Sequence, residues 1–261
     1  MKTTFWDRLK KRFLGIEPAP KEDLKQTTDV VPKVQIDPAE NVVLSRRNDD
    51  MSAEAQLAYF LDTYLYSRFP KSEFFSRIER MHNKADQLAG VDVRFTGKDG
   101  TVYDVDEKAQ LYYLNKNLPT FAFEIQFLRE GRPTIGWLCN NSLKTDLYLL
   151  IWPFALQDTP RDIRWDQFTK ADCLLIQKKR LLAMLKGEGL TIERMQRDAA
   201  LLRVNGCTGK VPIDGVRGIY YFASDSQRYR EAPINIVVAK DRLLSIAQRR
   251  YFVTKENVEV H

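Results

Sequence analysis

Cysteine and histidine are scarce in this chain. Its 261 residues include three cysteines, Cys139, Cys173 and Cys207, and two histidines, His82 and His261. The cysteines lie far apart and form no CxxC pair, which argues against a structural zinc site and against a disulfide framework. With so little imidazole, histidine-held zinc hydrolysis and Ser-His-Asp chemistry are poorly supplied. Any metal should therefore be held by oxygen. Long apolar runs are missing too. None approaches the roughly 20 residues that a membrane-spanning helix needs, and no secretory leader is visible. Together these absences set the expectation of a cytoplasmic protein in reducing surroundings.

What is present is ordinary in amount and uneven in placement. A hydrophobic fraction of 44% beside 29% charged residues is that of a globular protein. The length allows one large domain or one domain with a substantial extension. The net charge of +6 belongs to the second part of the chain: residues 161–261 hold 19 Lys+Arg against 12 Asp+Glu, residues 1–160 hold 22 against 23. A basic half beside an acid-bearing half suits a protein that attracts a phosphate backbone and holds a metal. Basic composition is also common in proteins that bind nothing specific, so charge alone does not decide.

Residues 1–16 place Phe5, Leu9 and Phe13 on one helical stripe, with Arg8, Lys10, Lys11 and Arg12 around it. This basic amphipathic pattern fits a partner groove or a membrane surface, or a terminus that becomes helical only on contact. Pro18, Pro20, Pro32 and Pro38 then interrupt a charged stretch without period, so residues 1–49 read as a basic segment followed by a disordered linker. From residue 50 the pattern becomes globular. Ser52 is a candidate N-cap for a helix carrying Leu57, Phe60, Leu61, Tyr64, Leu65 and Phe69 and ending at Pro70. Glu54 falls on that apolar stripe, so it either lies at the rim or meets a cation inside.

Further along, a second helix is expected over 72–86 and strands at about 90–96, 101–110, 120–128 and 134–138. A buried strand follows over 146–152, stopped by Pro153. Helices are then expected over 165–186, from a Thr191 cap to Arg203, and over 241–250, with a strand at 233–238. That order of elements implies one α/β domain with a mixed sheet.

The most informative stretch is GVDVRFTGKDGTVYDVDEKAQ, residues 90–110. Asp92 sits between Val91 and Val93, which favour extended backbone, and Lys98-Asp99-Gly100 suits a tight turn. Strand alternation then puts Asp104, Asp106, Lys108 and Gln110 on one side and Val105, Glu107 and Ala109 on the other. If pairing brings Asp92 beside that row, two carboxylates and an amine converge. Such a set suits a hard divalent cation acting on a phosphodiester. The plain alternative is a solvated polar face. Against it, the row runs into Leu111-Tyr112-Tyr113-Leu114 and the apolar segment 120–128, which places the pair centrally in a sheet.

Gly90-Val-Asp92 followed by Val105-Asp106-Glu107-Lys108 resembles the PD-(D/E)XK nuclease superfamily. The wider string resembles uncharacterised bacterial and phage-type proteins associated with that superfamily. It comprises Gln87-x-x-Gly90-x-Asp92, Asp106-Glu-Lys-Ala-Gln110, Leu118 to Glu124, Gly136-Trp137, Lys144-Thr-Asp146 and Glu231 to Val238. It covers roughly residues 51–261. Two positions depart from the usual pattern: no proline precedes Asp92, and the middle residue of Asp-x-Lys is the charged Glu107.

The resemblance implies a restriction-endonuclease-like core, a central mixed β-sheet flanked by helices, with a helical and β C-terminal extension. It implies a nuclease domain over 50–261 that uses Mg²⁺ or Mn²⁺ on nucleic acid, with DNA the expected substrate. Asp92, Asp106 and the backbone carbonyl of Glu107 would hold the metal, with Glu54 a further candidate, since related nucleases often take such an acid from the preceding helix. Lys108 would orient or deprotonate the attacking water. Gln110 would bond the water or a phosphate oxygen, or simply end the strand. Lys144, Lys178, Lys179 and Arg180 are candidate phosphate contacts. Glu124 reads as a further ligand or a partner of Lys144, and Asp104 as lying beyond the ligands. A homodimer is also expected. The competing class is a binding or scaffolding module that keeps this fold without turnover.

Overall fold

A computed structural model describes residues 47–71 and 75–261, with side chains at 52–69 and 75–261. The basic segment expected at 1–16 and nearly all of the expected linker lie outside the described residues. Strands β1 (Phe75–Arg80), β2 (Val93–Gly97), β3 (Val102–Ala109), β6 (Leu147–Ala155), β7 (Phe168–Gln177), β11 (Arg249–Thr254) and β12 (Val258–Val260) join in that order into a seven-stranded sheet. Every pairing in it is antiparallel except β3 with β6.

Parallel neighbours require a long crossover. Here the crossover itself carries β4 (Thr120–Arg129) and β5 (Arg132–Ile135), which belong to a second sheet. Its order is β5-β4-β10-β9-β8, with β8 at Gly209–Pro212, β9 at Ile219–Ala223 and β10 at Ile234–Ala239. The fold is thus mixed α/β with two sheets, where the sequence implied one central sheet.

Each face of the first sheet is covered. Helix α1 (Arg47–Tyr64) buries Ala53, Leu57, Phe60 and Leu61 at helical spacing. These meet Val105, Leu147, Leu149, Ile151, Phe168, Cys173 and Leu175 in one cluster. Burying each large side chain there stabilises by about 1.5–3 kcal/mol. The alternate residues of β6 face the second sheet, where Trp152 meets Phe121 at 5.1 Å and Tyr148 meets Trp137 at 5.2 Å between ring centroids. Beyond α2 (Lys84–Leu88), the remaining α-helices among the described residues are α3 (Lys178–Gly187), α4 (Ile192–Val204) and α5 (Lys240–Ile246). Thr191 caps α4 as expected, its hydroxyl accepting from the Arg194 N–H.

Several expected elements differ. Helix α1 begins at Arg47, so Ser52 lies inside it and residues 47–49 are helical rather than linker. The stretch expected as a helix over 72–86 contains edge strand β1, whose exposed Arg77 and Glu79 are the charges that edge strands carry. Residues 168–177 form strand β7, not the start of a helix. An apolar run buried on both faces has no period that separates strand from helix. The closing helix ends at Ile246, and Arg249 and Arg250 open β11. Pro153 does not stop β6, which runs to Ala155. Its carbonyl accepts from Asn115, so its missing N–H falls on the side where β3 has already ended.

One buried charge cluster ties β7, α5 and β11 together. Asp172 is 2% exposed and accepts from Lys240 Nζ at 2.7 Å and from Arg250 at 2.8 Å. Lys240 also donates to Asn117 and lies 4.0 Å from the Trp152 ring centre. Burial pushes the Asp172 carboxyl up, but bonds from Arg250 and Lys240 outweigh it and hold it below its ordinary value. This contribution is present at neutral pH and is lost as pH falls below about 4. Asp172→Ala should therefore cost about 3–5 kcal/mol at pH 7 by stranding two cations. Chemical denaturation at pH 7 checks this, with a smaller difference expected at pH 3.

Candidate active site on strand β3

The site is built where α2 hands over to β2. Gly90 adopts φ +74°, and a Cβ there would sit 2.7 Å from Thr145 Oγ1. Only glycine fits this backbone and this contact. Thr145 Oγ1 donates to the Gly90 carbonyl at 2.8 Å, fixing the turn to the strand that follows. Asp92 sits just ahead of β2. Its N–H donates to Val105 O at 2.9 Å and its carbonyl accepts from Met81 at 2.8 Å, so its backbone is held from both sides.

The side chains then converge. Asp92 Oδ2 accepts from the Glu107 N–H at 2.8 Å, which brings its carboxyl to the stretch of β3 that carries Asp106, and the two acids act on each other. Lys108 Nζ donates to Asp106 Oδ1 at 2.5 Å. Lys108 also stands 5.3 Å from the centre of the Trp137 ring. Asp106 is 2% exposed, while the Lys108 side chain keeps 28% exposure, so the group is reached from the lysine side.

The charges perturb one another. Burial raises the Asp92 carboxyl to about 6, Lys108 opposing the shift and Asp106 adding to it. Burial pulls the Lys108 ammonium down, but Asp106 and Asp92 outweigh that and hold it above its ordinary value, with Glu54 adding a smaller pull. Glu54 is exposed on α1 and acts on the lysine through this weak electrostatic pull. Glu124 is raised by burial, with Lys108 and the Trp137 N–H opposing. Its cationic neighbour is thus Lys108, not Lys144.

Other candidates stand apart from this centre. Glu107 points to the opposite face of β3, where Tyr66 donates to it at 2.5 Å and Arg80 pairs with it at 2.8 Å. Its charge is therefore answered inside the α1 layer, which accounts for a charged residue at that middle position. Asp104 pairs with Arg94 at 2.8 Å. Gln110 donates to the Thr120 carbonyl at 2.8 Å, leaving its Oε1 buried without a partner among the described residues. Lys178 donates to the Asn140 carbonyl at 3.3 Å and feels Asp106 electrostatically. Lys144, Lys179 and Arg180 are exposed. Two cavities, of about 470 and 260 Å³, are lined around Arg249, Arg250 and His261, and around Thr145, Asp146, Lys178 and Lys179. Neither is lined by Asp92, Asp106 or Lys108.

The donor set decides which metal would fit. Among the described residues no three His, Cys, Asp or Glu side chains form a metal-holding group. A closed zinc-type site is therefore not formed there. Mg²⁺ asks for less, one or two carboxylates with several retained waters, and the Asp92–Asp106 pair meets that demand. Two acids forced together, one carrying a raised pKa, are also the arrangement that a divalent cation relieves. Trp137 and Tyr148 were not singled out for chemistry by sequence, whereas Glu124 was read as a further ligand or a partner of Lys144. Glu124 left a signal, a lone acid in an apolar strand, whereas Tyr148 in the run Leu-Tyr-Leu-Leu-Ile-Trp left none.

The raised Asp92 carboxyl means that the folded protein takes up a proton more readily than the unfolded chain. Stability should therefore fall as pH rises from about 4 to about 6, and the penalty persists above that. Asp92→Asn keeps the bond from the Glu107 N–H and removes the repulsion with Asp106. It should raise stability at pH 7.5 by up to about 3 kcal/mol and change little at pH 4. Melting curves across this range check it; parallel curves for the two proteins would count against the paired-acid geometry. No family model, curated protein or solved structure matches this chain, so the reading of the site rests on its own geometry.

Proposed function

We propose that this protein is a divalent-metal-dependent nuclease that hydrolyses phosphodiester bonds, with DNA as substrate, built on a restriction-endonuclease-like core. One observation carries the proposal: Asp92, just ahead of β2, meets Asp106 and Lys108 of the adjacent β3 at a single buried-to-exposed boundary. Asp92 and Asp106 would hold Mg²⁺ or Mn²⁺, with the Glu107 carbonyl as a further oxygen. When bound, such an ion supplies Lewis acidity toward a phosphate oxygen and acidifies water.

The chain's own groups do the rest. Lys108 is held protonated, so at neutral pH it acts as a fixed cation that orients water and offsets charge developing on the phosphorus centre. It is not poised to serve as a free base. Trp137 packs against the lysine and limits where its ammonium can go. Exposed Lys179 and Arg180 at the start of α3 are available to phosphates flanking the cut.

The second reading is a nucleic-acid-binding scaffold without turnover. It is favoured by the ion pair between Asp106 and Lys108, which already balances one acid without any ligand. Asp106→Asn separates the two. The nuclease reading expects at least about a hundredfold loss of Mg²⁺-dependent plasmid nicking, with the variant still folded and DNA-binding. Equal nicking by wild type and variant, or none by either with Mg²⁺ or Mn²⁺, rules against it. Binding of duplex DNA should also weaken steeply between 50 and 200 mM salt. Replacing Lys179 and Arg180 by Ala should lower the salt slope by about one for each lost phosphate contact. A flat salt response would remove the phosphate-contact assignment.

A further inference from the structure

Tyr148 occupies an unusual position. It is wholly buried in β6 and stands opposite Asp106 in the parallel register with β3. Neighbours in register project from the same face of a sheet, so the two side chains leave adjacent strands together. Trp137 at 5.2 Å and Phe123 at 6.5 Å hold its ring from the second-sheet side. Yet its hydroxyl has no hydrogen-bond partner among the described residues. A buried hydroxyl left unpaired is destabilising, because it has given up its bonds to water. Phenylalanine would make the same ring contacts without that cost, so packing alone does not account for tyrosine.

The surroundings say what the hydroxyl can meet. Asp106 and Cys139 are the neighbouring ionisable groups that act on it. Burial, with Asp106 adding to it, holds the phenol above its ordinary value, so it stays protonated and able to donate. Asp106 accepts from Lys108 through Oδ1, and the hydroxyl makes no hydrogen bond to it. The missing partner is therefore an acceptor placed next to Asp106 and absent from the chain itself.

Resting on the nuclease reading above, we propose that the Tyr148 hydroxyl is a binding group of this site, donating to an oxygen lodged beside Asp106. That oxygen belongs either to the water shell of a divalent cation or to a non-bridging position of a phosphodiester. In both cases Tyr148 supplies a neutral donor from the strand next to Asp106. It would help fix the bound oxygen without adding charge to the buried strand.

Tyr148→Phe in the full chain tests this by three measurements. Its melting temperature should equal or exceed that of wild type, because a group without a protein partner is removed. A fall of more than a few degrees means that the hydroxyl has a structural partner, and overturns the proposal. Calorimetric titration with MnCl₂ and binding of a short DNA duplex in EDTA identify the oxygen. A Mn²⁺ affinity reduced about tenfold or more assigns it to the hydrated cation, and a comparable loss of duplex affinity in EDTA assigns it to phosphate. Both affinities unchanged overturn the proposal. A wild-type chain that binds Mn²⁺ but cuts nothing removes the nuclease reading, while the Tyr148 comparison is still decided by Mn²⁺ affinity. Binding of neither Mn²⁺ nor duplex by wild type overturns both.

Discussion

Strand β3 is charged on both of its faces and covered on both. Toward α1 it presents Glu107, and toward the second sheet it presents Asp106 and Lys108. Charges taken out of water must be paired or they are expelled, so each face of this strand dictates what its neighbours carry. On one side the answer is Arg80 with Tyr66, Arg80 being held in turn by Asp62 at 2.8 Å. On the other side Lys108 answers Asp106 and Asp92 together. The same alternation that builds the site thus fastens β3 to the 3₁₀ turn following α1 and to edge strand β1.

The path of the chain makes the second covering unavoidable. Because β3 and β6 are parallel, the polypeptide must return across the sheet between them, and it uses that return to lay down β4 and β5. Trp137 and Glu124 therefore arrive over the face that holds Asp106 and Lys108. Gly136 allows the close approach: a Cβ there would lie 2.5 Å from the Glu124 carbonyl. A bulge between Glu124 and Gln126 in the pairing with β10 adjusts β4 at the same place. Burial then strengthens every electrostatic interaction in the group, which is why Asp92 and Lys108 are both displaced from their ordinary protonation behaviour.

Much of this was legible at short range. The turn at Gly100, the alternation along 102–109 and the cap at Thr191 follow from local residue preferences, and the structure has each of them, whereas Asp92, expected within a strand over 90–96, falls at a bend just ahead of β2. Where runs were apolar on both faces, as in β7, period carried no information. Where strands were short and charged, as in β1, the pattern imitated a helix. The division into two sheets was not legible, since pairing partners more than a hundred residues apart, such as β4 with β10, leave no local mark.

For the site, the sequence by itself determined which side chains of β3 share a face, because alternation is a property of extended backbone. It also set the expectation that oxygen rather than sulfur or imidazole would hold any metal, because so little of either is present. Tertiary structure alone decided that Asp92 reaches Asp106, that Glu107 is answered by Arg80, and that Tyr148 and Trp137 close over the pair. Those contacts depend on strand register and on the crossover between β3 and β6. Both arise from burying apolar surface across the whole molecule, not from the preferences of neighbouring residues.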